Sequence, residues 1–249
     1  MGHDKTNYFV LLLLSGFTGA FVAFVMLHDS PAATLESYSP PARVVVGTTE
    51  VTVPSWSIFS TGNIWRLVSA KHALSKDYAP SLVATPVAHA PGATQVAAVA
   101  NAPLNTLVAT AKEQGVNLML SSAYRSYADQ ETLYNTFLSS KGREYVLAYV
   151  AVAGESEHQT GLAVDLATAS TPCLASADNC SLDATVIAWL RAHAADYGFI
   201  ERYPEGKQSI TGISGEHWHY RYVGVPLAKA LTAASMTLDE FVAQTAPGI

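Results

Sequence analysis

Two short polar stretches constrain the fold more than any other part of the chain. The first is Ser156-Glu157-His158-Gln159-Thr160-Gly161-Leu162-Ala163-Val164-Asp165. The second is Gly215-Glu216-His217-Trp218-His219-Tyr220-Arg221. Together they carry imidazoles and carboxylates of the kinds that hold a divalent metal and move a proton. A hydrolytic zinc site needs three protein ligands, an open position for water and a nearby proton acceptor. His158, Asp165 and His219 can supply the ligands, and Glu216 the acceptor. A fold that uses this chemistry must bring the two stretches together.

His158 and Asp165 stand too far apart in sequence to be neighbours on one helical face. Gly161 followed by Leu-Ala-Val-Asp-Leu reads as a turn into a strand, with His158 on the loop and Asp165 in the strand. The aromatic and β-branched content of residues 217–223 favours a second strand. There His217 and His219 share one face and Trp218 and Tyr220 the other, so one face can carry a ligand while the other packs. Glu216 falls at the start of that strand, where an irregular backbone can aim it at the metal.

A third motif lies upstream, Ser122-Ala123-Tyr124-Arg125-Ser126. Ser-x-Tyr-Arg-Ser, then Ser-x-His-x6-Asp, then Glu-x-x-His resembles, in content and order, the zinc D-alanyl-D-alanine carboxypeptidases of the VanY type. Their wider group includes D,D-dipeptidases and L,D-carboxypeptidases of bacterial cell walls. The resemblance covers roughly residues 63 to 228. Ala123 stands where many relatives have Gly, and His217 where relatives often have a smaller residue or Pro. Neither change removes a ligand.

The resemblance implies one Zn2+ held by His158, Asp165 and His219, with Glu216 as general base. It implies that Arg125 reaches the scissile carbonyl oxygen, a role suited to a permanently charged group with several donors. Ser156 matches the residue that binds the substrate's terminal carboxylate, and Gln130 a substrate-binding Gln in Ser-x-Tyr-Arg-Ser-Tyr-x-x-Gln. Simpler roles stay open: Arg125 paired with a carboxylate, Ser156 shaping its loop, Gln130 capping a helix. The implied substrates are peptidoglycan stem peptides, which lose a C-terminal D-amino acid. The chain has no Ser-x-x-Lys motif, as fits a route without a covalent serine intermediate. An L,D-carboxypeptidase or D,D-dipeptidase of the same fold is an alternative. So is a non-catalytic cell-wall-binding module, but that would be marked by loss of Glu216 or a ligand, and none is lost.

The rest of the chain fits an exported enzyme. With 249 residues, 49% hydrophobic and only 14% charged, it suits one folded catalytic domain plus appendages. The net charge of −6 and the absence of a Lys/Arg-rich run argue against a nucleic-acid partner. Residues 8–27, YFVLLLLSGFTGAFVAFVML, carry no charge and are long enough to span a bilayer. We expect residues 1–29 to hold a single-pass membrane anchor, with a cleaved signal as the alternative. The catalytic domain is then extracytoplasmic. Residues 30–60, rich in Pro, Ser and Thr, read as a linker with little core of its own, apart from a short strand near Arg43. Residues 61–234 are expected to be the zinc carboxypeptidase domain and 235–249 a C-terminal helix and tail. Cys173 and Cys180 lie in one loop, and in an exported chain a disulfide is expected, with two free thiols as the alternative.

Helices are expected at residues 103–115, 129–139, 143–152, 181–193, 226–234 and 238–244. Strands are expected at 116–122, 162–167, 199–200 and 217–223. Helices and strands mix without a regular βαβ repeat. The expected class is therefore α+β: a small mixed or antiparallel sheet with flanking helices around a zinc cleft, preceded by a transmembrane helix.

Overall fold

The computed structural model describes residues 42–53, 62–170 and 182–245. The anchor expected at residues 8–27 and both Cys173 and Cys180 lie outside the described residues. No helix among the described residues is long and apolar enough to cross a membrane.

The fold is α+β, with small antiparallel sheets and flanking helices. Strands β1 (Ala42–Val46) and β2 (Thr49–Val53) form a hairpin, and β3 (Leu82–Ala84) pairs with β4 (Gln95–Ala97). The principal sheet has four strands in the order β5 (Leu118–Ser122), β6 (Ala163–Thr168), β8 (Glu216–Tyr222), β7 (Phe199–Tyr203), all antiparallel. The helices are α1 (Ala98–Glu113), α2 (Tyr127–Lys141), α3 (Arg143–Tyr149), α4 (Ala184–His193), α5 (Gln208–Thr211), α6 (Val225–Ala234) and α7 (Leu238–Thr245).

Alternation along the strands sends apolar residues into one core. Val164 and Leu166 of β6 and Trp218, Tyr220 and Tyr222 of β8 meet Leu104 and Leu107 of α1 and Leu190 of α4. A second core forms where Leu227 and Leu231 of α6 and Leu238 and Phe241 of α7 cover Ile200, Val223 and Trp65. The Trp65 and Phe241 rings meet edge to face at 5.7 Å, and the Trp65 indole donates to the Val223 carbonyl at 2.7 Å. An edge-to-face ring pair of this kind contributes roughly 0.5–1.5 kcal/mol beyond its area burial.

Three expectations change. The first long helix begins at Ala98, so Pro103 lies inside it instead of in its first turn. The missing N–H falls beside Val99, which is 51% exposed, so water can reach the carbonyl that loses its partner. The end of α1 is as expected. Gly115 has φ +82°, its N–H meets the Lys112 carbonyl and the Val116 N–H the Ala111 carbonyl, which is a Schellman stop. Second, α4 starts at Ala184 with Asp183 as its cap residue, not with Ser181. Third, part of the stretch expected as a linker is folded. Val46 and Val51 of the β1–β2 hairpin are buried in the second core. The final helix α7 also packs there, held at its start by a capping box in which Thr237 and Glu240 exchange bonds.

Candidate active site

The site assembles where β6 and β8 run side by side. In the antiparallel register Asp165 lies directly opposite His219, and opposed residues point to the same face. Val164 and Leu166, on either side of Asp165, go into the core, so the carboxylate is left facing the other way. His158 arrives from the turn before β6, a 3-10 turn over Glu157–Thr160. That turn ends at Gly161, with φ +67°, where an added Cβ would meet the Ala97 backbone N at 2.8 Å. Gly161 therefore both reverses the chain and lets it pass close to β4.

The three side chains converge. One ligand atom from each of His158, Asp165 and His219 lies within 4.8 Å of the others. His158 Nε2 is 3.2 Å from Asp165 Oδ2, and His219 Nδ1 is 2.9 Å from Asp165 Oδ1. His158 Nδ1 donates to the Ala123 carbonyl at 2.7 Å, which can only accept. The neutral ring then turns an Nε2 lone pair towards a carboxylate oxygen. Two acceptors that close repel each other unless a cation sits between them. This donor set, two imidazoles and one carboxylate around a shared point, fits zinc in a catalytic site.

Charge in this pocket is strongly coupled. Burial pushes the His158 imidazole down, and Arg125 and His219 add to this against the pull of Asp165. Burial would raise Asp165, but His158 and His219 outweigh it and hold the carboxyl well below the usual range. Burial also opposes charge on His219, yet the neighbouring Asp165 and Glu157 carboxylates raise it to about 9. Glu216 is pushed up to about 7 by burial, with Asp165 adding to the shift while His219 and Arg125 oppose it.

Glu216 is the first residue of β8, and its Oε2 lies 3.9 Å from His219 Nδ1. Strict alternation would place it on the face of Trp218. The β7–β8 register is irregular between Glu201 and Tyr203, which frees the Glu216 side chain to reach the His219 side. Arg125 follows β5, with its backbone N–H bonded to the His158 carbonyl at 3.2 Å. Its guanidinium donates to Gln130 Oε1 at 2.7 Å and to Ser122 Oγ at 2.9 Å. Gln130 in turn donates to the Ala151 carbonyl at 2.7 Å. Gln130 is 1% exposed, and both ends of its amide are engaged within the protein.

All of these groups line one cleft of about 480 Å³, together with Ser156. Its outer wall is apolar, with Leu133 and Phe137 of α2 and Tyr149 of α3. His217 takes no part in the metal cluster; its Nε2 accepts from the Leu182 N–H at 3.3 Å. Four residues at the site were not singled out from sequence. Tyr203 lies against the His219 ring at 5.0 Å between centroids. Glu157 and Arg221 sit buried beneath the ligands, with Arg202 beside them. The available signal was charge in apolar company: Arg221 shares the strand face of His219, two residues on.

Comparison with known proteins agrees with this geometry. Residues 93–225 match the family model described as VanY, D-alanyl-D-alanine carboxypeptidase. The chain is 38% identical over 138 residues to the bifunctional D-Ala-D-Ala dipeptidase and D-Ala-D-Ala carboxypeptidase VanXYC of Enterococcus gallinarum, covering 53% of this chain and 69% of that protein. Among solved structures, the LdcB LD-carboxypeptidase superposes with a TM-score of 0.62 at 31% identity, over 81% of this chain and 92% of that one. A mutant of the vancomycin resistance D,D-pentapeptidase VanY in complex with Zn(II) gives a TM-score of 0.61 at 29% identity, over 72% and 98%.

Proposed function

The chain belongs to the VanY family of D-alanyl-D-alanine carboxypeptidases, and on that premise we propose that it hydrolyses the C-terminal D-amino acid from peptidoglycan stem peptides in a zinc-dependent reaction. The observation that carries this reading is the convergence of His158, Asp165 and His219 in one cleft with the Glu216 carboxylate and the Arg125 guanidinium. His158, Asp165 and His219 would hold the zinc. When bound, it supplies Lewis acidity and makes a water acidic enough to react near neutral pH.

The chain's own residues do the rest. Glu216 takes the water's proton and returns it to the leaving amine as the peptide C–N bond breaks. A carboxyl raised to about 7 is well matched to both halves of that task. Arg125, braced by Ser122 and Gln130, donates to the carbonyl oxygen as negative charge builds there. The water oxygen ends on the new carboxylate and no side chain becomes covalently attached. Ser156, at the edge of the cleft, would meet the substrate's own carboxylate.

An L,D-specificity is the second reading, because the LdcB LD-carboxypeptidase superposes as well as VanY does, with TM-scores of 0.62 and 0.61. Defined stem peptides separate the two, one ending in D-Ala-D-Ala and one ending in a single D-Ala after an L-centre. Mass detection should find zinc-dependent D-alanine release from the first. Release from the second alone would shift the assignment to L,D-cleavage, and no release from either by zinc-loaded protein would end both. Such a substrate lies outside the cytoplasm. On this reading the uncharged residues 8–27 tether or export the enzyme, and Cys173 pairs with Cys180 there. N-terminal sequencing and thiol labelling of envelope protein test this: a start beyond residue 27 excludes the tether, and two labelled thiols exclude the pair.

A further inference from the structure

Glu157 is a buried carboxylate that hydrolysis itself does not require. It precedes His158, is 1% exposed, and its Oε1 accepts two charge-assisted bonds, from Arg202 Nε at 2.8 Å and Arg221 Nη1 at 2.7 Å. Both arginines are held elsewhere as well. Arg202 also binds Asp239 of α7, and Arg221 Nη2 donates to the Ile64 and Arg66 carbonyls, each at 2.9 Å. A carboxylate serving only as counter-ion to two guanidiniums would be expected to share its two oxygens between them. Here both cations bind one oxygen and leave the other open.

The open oxygen faces a metal ligand. Glu157 Oε2 lies 3.7 Å from His219 Nε2, and neither atom has a hydrogen-bond partner among the described residues. That distance is too long for a closed hydrogen bond, but a slight tilt of the ring brings it into range. Leaving a buried charged oxygen and a buried ring nitrogen both unpaired is costly, and a proton on Nε2 directed at Oε2 relieves both. The other ring nitrogen, Nδ1, is the one beside Asp165, on the metal side.

We propose that Glu157 is a positioning residue for the metal centre: its Oε2 receives the Nε2–H of His219, fixes that tautomer and ring plane, and so keeps the Nδ1 lone pair turned to zinc. Zinc-bound imidazoles commonly donate their second N–H in this way, and loss of the acceptor weakens metal binding about 10–100-fold. The inference rests on His219 being a zinc ligand, but its test does not depend on peptide hydrolysis. Asp239 extends the same chain of contacts, from α7 through Arg202 to Glu157 and so to the ligand.

Two measurements test it. In zinc-loaded protein with 15N-labelled histidine, long-range 1H–15N spectra should show His219 protonated at Nε2 with Nδ1 bound to the metal. A proton on Nδ1 would overturn the proposal without any variant being made. Chelator competition should then give a zinc affinity about 10–100-fold weaker for Glu157→Gln than for the parent. Asp239→Asn disturbs Arg202 without touching Oε2 and supplies the comparison for a purely structural effect. Equal losses of affinity in the two variants, or an unchanged affinity in a folded Glu157→Gln, would refute the positioning role.

Discussion

Asp165 and His219 are direct partners across β6 and β8, and that register brings His219 Nδ1 to 2.9 Å from Asp165 Oδ1. Because side chains alternate, a slip of one residue would send Asp165 into the core and empty the site. The metal centre is thus a property of strand pairing as much as of the residues themselves. Alanine at His158, Asp165 or His219 should reduce zinc from about one per chain to a small fraction after dialysis. Circular dichroism should stay like the parent's, since His158 and His219 are polar groups at a cleft and Asp165 faces away from the core. Full zinc retention in any of the three would remove that residue from the ligand set.

Metal-free protein should show the opposite pH trend from zinc-loaded protein. His219 has its pKa raised to about 9 from an ordinary 6.5, the nearby Asp165 and Glu157 carboxylates outweighing burial. A raised cationic pKa adds stability that is fully present below 6.5 and is lost as pH climbs through about 9. The Tm advantage of the metal-free parent over metal-free His219→Ala should shrink across that window. Zinc needs the unprotonated ring, so zinc affinity should rise over the same range and binding should release a proton. Calorimetry in buffers of different ionisation enthalpy measures that proton, and buffer-independent heats would contradict the assignment.

Glu216→Gln keeps size and polarity but cannot take a proton. Zinc content should be retained while kcat falls by roughly two to four orders of magnitude. In the parent, kcat/KM should decline as pH drops and Glu216 becomes protonated. Without metal that carboxyl titrates at about 7, burial being the main cause. A bound cation favours the charged form, so the acid limb of zinc-loaded enzyme should lie at or below about 7. A Glu216→Gln variant that hydrolyses D-Ala-D-Ala peptides at the parent rate would place the base elsewhere.

Gln130 fixes Arg125, so its removal should resemble a weakened oxyanion contact. Gln130→Ala breaks the 2.7 Å bond to Arg125 Nη1 and frees the guanidinium to move. Arg125→Lys removes the fork that reaches both Ser122 and Gln130. The expected loss for Arg125→Lys is on the order of a hundredfold in kcat, and a smaller loss is expected for Gln130→Ala. If kcat held and only KM rose in Gln130→Ala, Gln130 would instead be a substrate contact.

The motif residues were legible because their chemistry is local. His158 on a turn, Asp165 in a strand and His219 on the polar face of another follow from Gly161 and from the alternation of Trp218 and Tyr220 with His219. The edges of elements were less legible. Pro103 read as a helix start because its ring suits a first turn, yet α1 begins directly after β4 and absorbs the lost bond at its exposed side. Residues 30–60 read as a linker with a short strand near Arg43, and the folding of part of it was not legible because the burial of Val46 and Val51 depends on α6 and α7 far along the chain. Glu157 was passed over for the same reason: a carboxylate before a histidine gains its role only from Arg202 and Arg221, which pair with it across 45 and 64 residues.

That buried ion cluster should make the fold sensitive to the loss of either arginine that neutralises Glu157. Arg221 is fully buried, with 0% exposure of its side chain, and donates to Glu157 and to three backbone carbonyls. Arg221→Met fills a similar volume but leaves Glu157 short of one cation. Breaking a buried pair from one side costs about 3–5 kcal/mol, because the remaining charge is stranded in a dry environment. Burial alone would raise the Glu157 pKa, but Arg202, Arg221 and His219 outweigh it and hold it far below its ordinary 4.5. A depressed carboxylate adds stability that is present above 4.5 and is lost as pH falls towards its folded value. The parent should therefore lose stability steeply on acidification below 4.5, and Arg221→Met, already lacking much of that contribution, should lose less. Urea unfolding of both proteins at pH 7 and pH 3 measures the two slopes. Parallel slopes would mean that Arg221 does not hold the Glu157 charge, whatever the distance between them.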